Sequence, residues 1–164
     1  MKLSEEGLVK RYRTDIKSAQ GVIAMATVLG IIYVLVGLIS KNWGFYFGIS
    51  AVKFCAVNAV RAQTEPEQTL KMWLFAVLAA VCIVLYIVAV LLVRKDPKKL
   101  WLGLVLYGAD SVFLAVIDAA GCLEPFKKED IIDLIFHAFI MMFLIVGVCS
   151  VKRLEKKGIK PEPI

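Results

Sequence analysis

An all-α integral membrane fold, with four spanning helices in one bundle, follows from three features of this 164-residue chain. It is 60% hydrophobic. Four runs, 21–40, 72–93, 100–120 and 131–151, are almost free of charge. Lys and Arg cluster between and beyond those runs. At a rise of about 1.5 Å per residue, each run is long enough to cross a hydrocarbon core of roughly 30 Å. The spans leave only short loops and two basic flanks, so the chain is one membrane domain.

The first element, 1–20, reads as a cytoplasmic amphipathic helix. Ser4 followed by Glu5 and Glu6 is a helix start, with acids at the positive end of the helix dipole. Leu8, Tyr12, Ile16 and Ala19 form an apolar stripe beside Lys10, Arg11, Arg13 and Lys17. Those four basic residues are candidate contacts for anionic lipid head groups. The first span, 21–40, exceeds the length of a signal-peptide core and passes into Lys41, Asn42 and Trp43 without a small-residue cleavage pattern, so it is expected to be retained.

The segment 44–63 is nearly as apolar as a span but shorter, and it carries Lys53 near its middle. On a helical wheel Ser50, Lys53, Asn58 and Arg61 share one side, opposite Val52, Cys55, Ala56 and Ala59. The pattern predicts a helix that lies in, or dips into, the outer interface, with Lys53 and Arg61 toward head groups. A fifth crossing here would carry the basic C-terminal tail to the other side. The second span, 72–93, is apolar all round apart from Cys82 and Tyr86 and should face lipid on most sides. Pro97 breaks the short connection to the third span.

The third span, 100–120, holds Asp110 near its centre and Asp118 two turns later. A central Asp costs about 2.5–3.5 kcal/mol on an insertion scale, whereas each Leu, Ile, Val or Phe returns only about 0.3–0.6 kcal/mol. This span therefore needs neighbours. Gly103, Tyr107, Gly108, Ser111 and Ala115 lie on the Asp110 and Asp118 side, where small residues let helices approach and hydroxyls accompany an acid. The fourth span, 131–151, opens with Asp130, Asp133, His137 and Met141 on one helical face, and 152–164 is a basic tail. His137 is the one histidine of the chain.

Orientation follows from the basic residues. Segments 1–20, 94–99 and 152–164 share one side under four spans and hold 14 of the 20 Lys and Arg. Cytoplasmic loops carry that excess, which puts both termini in the cytoplasm at the plasma or cytoplasmic membrane. The net charge of +6 is thus explained by lipid head groups, and no nucleic-acid partner is expected.

Asp110, Asp118, Asp133 and His137, with Tyr107 and Ser111 beside them, are candidates for a relay or ion site. The first functional reading is a transport or permeation module for protons or cations. The second is a non-catalytic interaction or assembly subunit, and an intramembrane enzyme is third. D-x-x-x-H lacks a third neutral ligand, so no metal or cofactor is expected. The cysteines contain no C-x-x-C; Cys55 and Cys122 are the pair at compatible depth. Phosphate-loop, zincin and serine-elbow motifs are missing. Four helices enclose little volume, so a homo-oligomer or a membrane-protein partner is expected.

Overall fold

Each uncharged run becomes a helix, and three of the four helices continue past the apolar limits into charged flanks. The computed structural model describes residues 5–40, 49–63, 68–119 and 128–161. These form five α-helices: α1 (Glu5–Ser40), α2 (Ser50–Gln63), α3 (Thr69–Lys95), α4 (Leu100–Ala119) and α5 (Lys128–Lys156). Four of them are long and apolar enough to span a membrane, and α2 sits between the first two. This is the four-span membrane bundle expected from the sequence.

The amphipathic segment and the first span are one unbroken helix, because no proline or turn signal separates them. Glu5 and Glu6 occupy its first turn, favourably placed against the dipole; Ser4 lies outside the described residues. The apolar stripe finds its partner within the chain. Ile16, with Tyr12 beside it, packs on Val151 and Leu154 of α5. Helix α3 ends on Arg94 and Lys95, which suit the negative dipole end. Asp96 is extended and its carboxylate accepts from the Lys98 N–H at 3.1 Å. Pro97 then opens a single 3₁₀ turn that leads into α4. Helix α5 closes on Gly158 at φ 71°, with Ile159 N–H on the Leu154 carbonyl and Gly158 N–H on that of Glu155. That pair of bonds is a Schellman cap, and Ile159 folds back on the Leu154 cluster.

The three basic segments converge at one end of the bundle. There Lys157 meets Glu5 at 3.1 Å, and Lys98 meets Glu155 at 2.9 Å. The Ser150 hydroxyl donates to Asp15 at 2.9 Å, and the Gln20 amide donates to the Val93 carbonyl at 2.8 Å. Bonding to Glu155 raises the Lys98 pKa above the ordinary lysine value.

Helix α2 does not lie flat. Its first residue, Ser50, bonds to Asp110 at the midpoint of α4. One turn later Phe54 packs edge-on against Phe113, one turn further along α4, and against Phe75 of α3. The helix therefore starts at mid-depth and runs about 21 Å back toward the end opposite the termini. Val52, Cys55 and Ala56 are buried, as the wheel predicts for that face. Dipping, rather than lying in the interface plane, is the placement adopted. Unpaired backbone at such depth is tolerated only against protein, and here Asp110 supplies the partner.

Small residues set the tightest approaches. A Cβ on Gly147 would collide with Ala19 and Leu100, and one on Gly103 with the tip of Ile23. The buried core runs through Ile23, Val52, Tyr107, Ile140 and Leu144. Much of the apolar surface stays outside, including Trp73 at 61% and Val112 at 64% exposure. Hydrocarbon is the solvent that stabilises such a surface.

Candidate functional site

The polar residues of the third and fourth spans meet where α2 begins. Asp110 is 4% exposed, and its two oxygens accept from consecutive amides of α2: Ser50 N–H at 2.9 Å and Ala51 N–H at 2.8 Å. A carboxylate at a helix N-terminus satisfies orphan N–H groups and sits at the positive end of the dipole. Asp110 is a cap supplied from another helix.

His137, 2% exposed, lies against the same carboxylate. Its Nδ1 is 2.9 Å from the Asp133 carbonyl. A carbonyl can only accept, so Nδ1 carries a hydrogen. Nε2 is then 3.0 Å from Ser50 Oγ and 3.2 Å from Asp110 Oδ2. In the neutral ring Nε2 accepts from the serine hydroxyl; in the imidazolium it donates to the carboxylate. One set of heavy-atom positions serves both protonation states.

The cluster extends outward along α5. Asp133, 5% exposed, approaches His137 Nδ1 with Oδ1 at 3.4 Å, and Oδ2 is 3.7 Å from Lys53 Nζ. Lys53 is 28% exposed and its ammonium also lies 6.0 Å from the centre of the Tyr33 ring. The wheel predicts Lys53 toward head groups; it turns inward because Asp133 and an aromatic face offer it a counter-charge and a π surface. Arg61 does remain exposed. The order Lys53, Asp133, His137, Asp110 leads from a partly exposed cation to a mid-span acid.

Tyr107 packs its ring on His137 at 5.0 Å, and its hydroxyl is buried without a hydrogen-bond partner among the described residues. The Tyr86 hydroxyl on α3 is buried and unsatisfied in the same way. Such groups are uncommon in a close-packed interior and favour occasional water. Ser111 is not in the cluster: its hydroxyl bonds to the Tyr107 carbonyl of its own helix at 2.9 Å. Asp118 falls in the last turn of α4, and its side chain lies outside the described residues, as do that of Asp130 and all of Cys122. Lys10, Arg11 and Lys17 are exposed at the end of the bundle that holds the termini, and Arg13 is partly so.

The residues the sequence reading did not place here are Ser50, Lys53 and Tyr86. Ser50 and Lys53, three apart on the polar side of α2, were the available signal. Ser50, His137 and Asp133 also have the composition of a nucleophilic triad. The N–H groups that would stabilise an oxyanion are held by the Asp110 carboxylate, so acyl transfer is disfavoured. Among the described residues no group of three or more His, Cys, Asp or Glu is placed to hold a metal ion. No family model, curated protein or solved structure matches the chain. The chain is a multi-span helical membrane protein with a buried Asp110, His137 and Asp133 cluster in its spanning region.

Proposed function

We propose that this protein handles protons or small cations across the membrane, with Asp110 as its mid-span site. The observation that carries this reading is the His137 ring, shared between the Asp110 carboxylate and the Ser50 hydroxyl on Nε2 while Nδ1 is fixed on Asp133. A proton can move between Asp110 Oδ2 and His137 Nε2 without rearranging heavy atoms, and its onward acceptor from Nδ1 would be the Asp133 carboxylate, with Oδ1 at 3.4 Å, which suits a relay. Asp133 supplies the outer approach together with Asp118, and Tyr107 and Ser111 flank the site. In this reading both termini face the cytoplasm of the plasma or cytoplasmic membrane, which the basic excess at their end supports. Lys10, Arg11, Arg13 and Lys17 rest there on anionic lipid. A second copy, or another membrane protein, completes the pathway that four helices are too few to enclose.

A second reading rests on a different observation. Asp110 saturates the first two N–H groups of α2, which is what an assembly residue would do. In that case the protein is an interaction subunit and the cluster holds its shape.

Flux decides between the two. Proteoliposomes containing the full chain are loaded with a pH-sensitive dye and driven by a potassium gradient, with sodium and potassium uptake followed in parallel. Proton or cation flux in the parent and its loss in a folded Asp110→Asn variant are expected, because an amide oxygen still accepts from one of the two α2 N–H groups but the amide does not exchange a proton. Parent-like flux in both Asp110→Asn and His137→Gln, or no flux from the parent, would leave the interaction subunit standing.

A further inference from the structure

Away from the cluster, at the end where Glu5 meets Lys157, α1 and α5 leave a groove of about 330 Å³ between them. That is the low end of the roughly 300–1,000 Å³ usual for small-molecule sites. Its character changes along its length. Ile145 and Val146, 47% and 42% exposed, line the part that lies within the apolar run of α5. Arg11 and Arg153 line the part beyond that run, where α5 turns basic at Lys152. The pairings of Asp15 with Ser150 and of Glu5 with Lys157 show that the two helices run antiparallel with this stretch in register. One end of the groove is thus at acyl-chain depth and the other at head-group depth.

Two arginines, Arg11 and Arg153, line the polar end together with Asp15. The Arg153 guanidinium lies 5.6 Å from the centre of the Tyr12 ring, which steadies its planar fork. Two N–H groups of such a fork match a phosphate in a way an ammonium cannot. The acid in the lining, Asp15, accepts from the Ser150 hydroxyl at 2.9 Å, so its charge is partly engaged. Other cations of this end are used elsewhere: Lys98 on Glu155 and Lys157 on Glu5.

We propose that this groove binds one anionic phospholipid, its phosphate between Arg11 and Arg153 and the start of an acyl chain along Ile145 and Val146. The site is independent of the proton reading and stands or falls without it. A diffuse basic surface would attract the same lipids, but it would not distinguish one arginine pair from other cations of that end.

The test is native mass spectrometry of the full chain in neutral detergent, titrated with phosphatidylglycerol or with phosphatidylcholine of the same chains. One phosphatidylglycerol per chain should be retained, and phosphatidylcholine should bind at least about tenfold more weakly. Arg11→Gln with Arg153→Gln should weaken phosphatidylglycerol by about tenfold or more, since two charge-assisted contacts are lost. Lys152→Gln with Lys156→Gln removes the same charge outside the groove and should change affinity by less than about twofold. Arg153→Lys, which keeps charge and fold, should still lose about threefold or more through the missing fork. Ile145→Ser with Val146→Ser should weaken binding as well. Equal losses in the two Gln pairs would reduce the effect to diffuse charge and overturn the site. Equal retention of phosphatidylcholine, or displacement of the lipid by inorganic phosphate, would overturn it too.

Discussion

His137 has two ring nitrogens, and both are committed within a protein interior that offers no bulk water. Its Nε2 faces a neutral donor and an anion at nearly equal distance, 3.0 and 3.2 Å. Ser50→Ala keeps the backbone N–H that caps onto Asp110 and removes only the hydroxyl. We expect that variant to fold like the parent and to conduct protons more slowly, read as flux in proteoliposomes. Unchanged flux would take Ser50 out of the path. Asp110→Leu should behave differently, because it strips the acceptors from two buried N–H groups. Each orphaned group costs about 1–3 kcal/mol, so thermal unfolding in detergent should fall by several degrees, and Asp110→Asn, whose amide oxygen keeps only one of the two N–H groups, should fall by about half as much. Asp110, Asp133 and His137 are legible as residues, since a charge inside a long apolar run has few structural reasons to be there. Ser50 and Lys53 are not. A serine at a helix start and a lysine in a half-apolar segment are common on any membrane surface. Only the turn of α2 into the bundle gives them their partners.

Helices explain why that turn happens. The sequence predicts the spans from their length and lack of charge, and the second, apolar all round, leaves Trp73 and Leu74 of α3 outward. How α2 sits is less legible. Its wheel describes an interfacial helix and a half-span equally well, because both bury Val52, Cys55 and Ala56 on one side. The N-terminal segment presents the same ambiguity. Its stripe fits lipid, yet Ile16 packs on α5, since α5 continues as helix to Lys156 and offers Val151 and Leu154. Two outcomes test these packings. Val52→Asp places an unpaired carboxylate at a fully buried position and should release α2, exposing it to limited proteolysis. Gly147→Val should break the α1–α5 contact, where even a Cβ collides with Ala19. Overpacking of this kind costs about 1–3 kcal/mol, enough to lower the melting temperature measurably.

At the scale of the whole molecule, the parity of the crossings controls everything outside the cluster. Ion pairs between Lys157 and Glu5 and between Lys98 and Glu155 gather three basic segments at one end, as the count of Lys and Arg anticipates. Sidedness is the part that the arrangement leaves to charge and lipid. In a chain whose native cysteines are replaced by Ala, Lys157→Cys should resist an impermeant maleimide in intact cells and react after lysis. Gln63→Cys, exposed at the far end of α2, should react without lysis. Labelling of the first without lysis would reverse the orientation and place the groove in the opposite leaflet.

The contact between Asp15 and Ser150 joins residues 135 positions apart. At about 5–20 residues per second, a ribosome needs roughly 7–27 s to make the second after the first. During that interval α1 is in the membrane without the helix that covers Ile16 and Ala19. Helix α2 is present before Asp110, so the acid can be capped as soon as it leaves the insertion machinery. His137 arrives last. The polar cluster is therefore completed only when the final span is made, and its assembly reports that synthesis has reached α5.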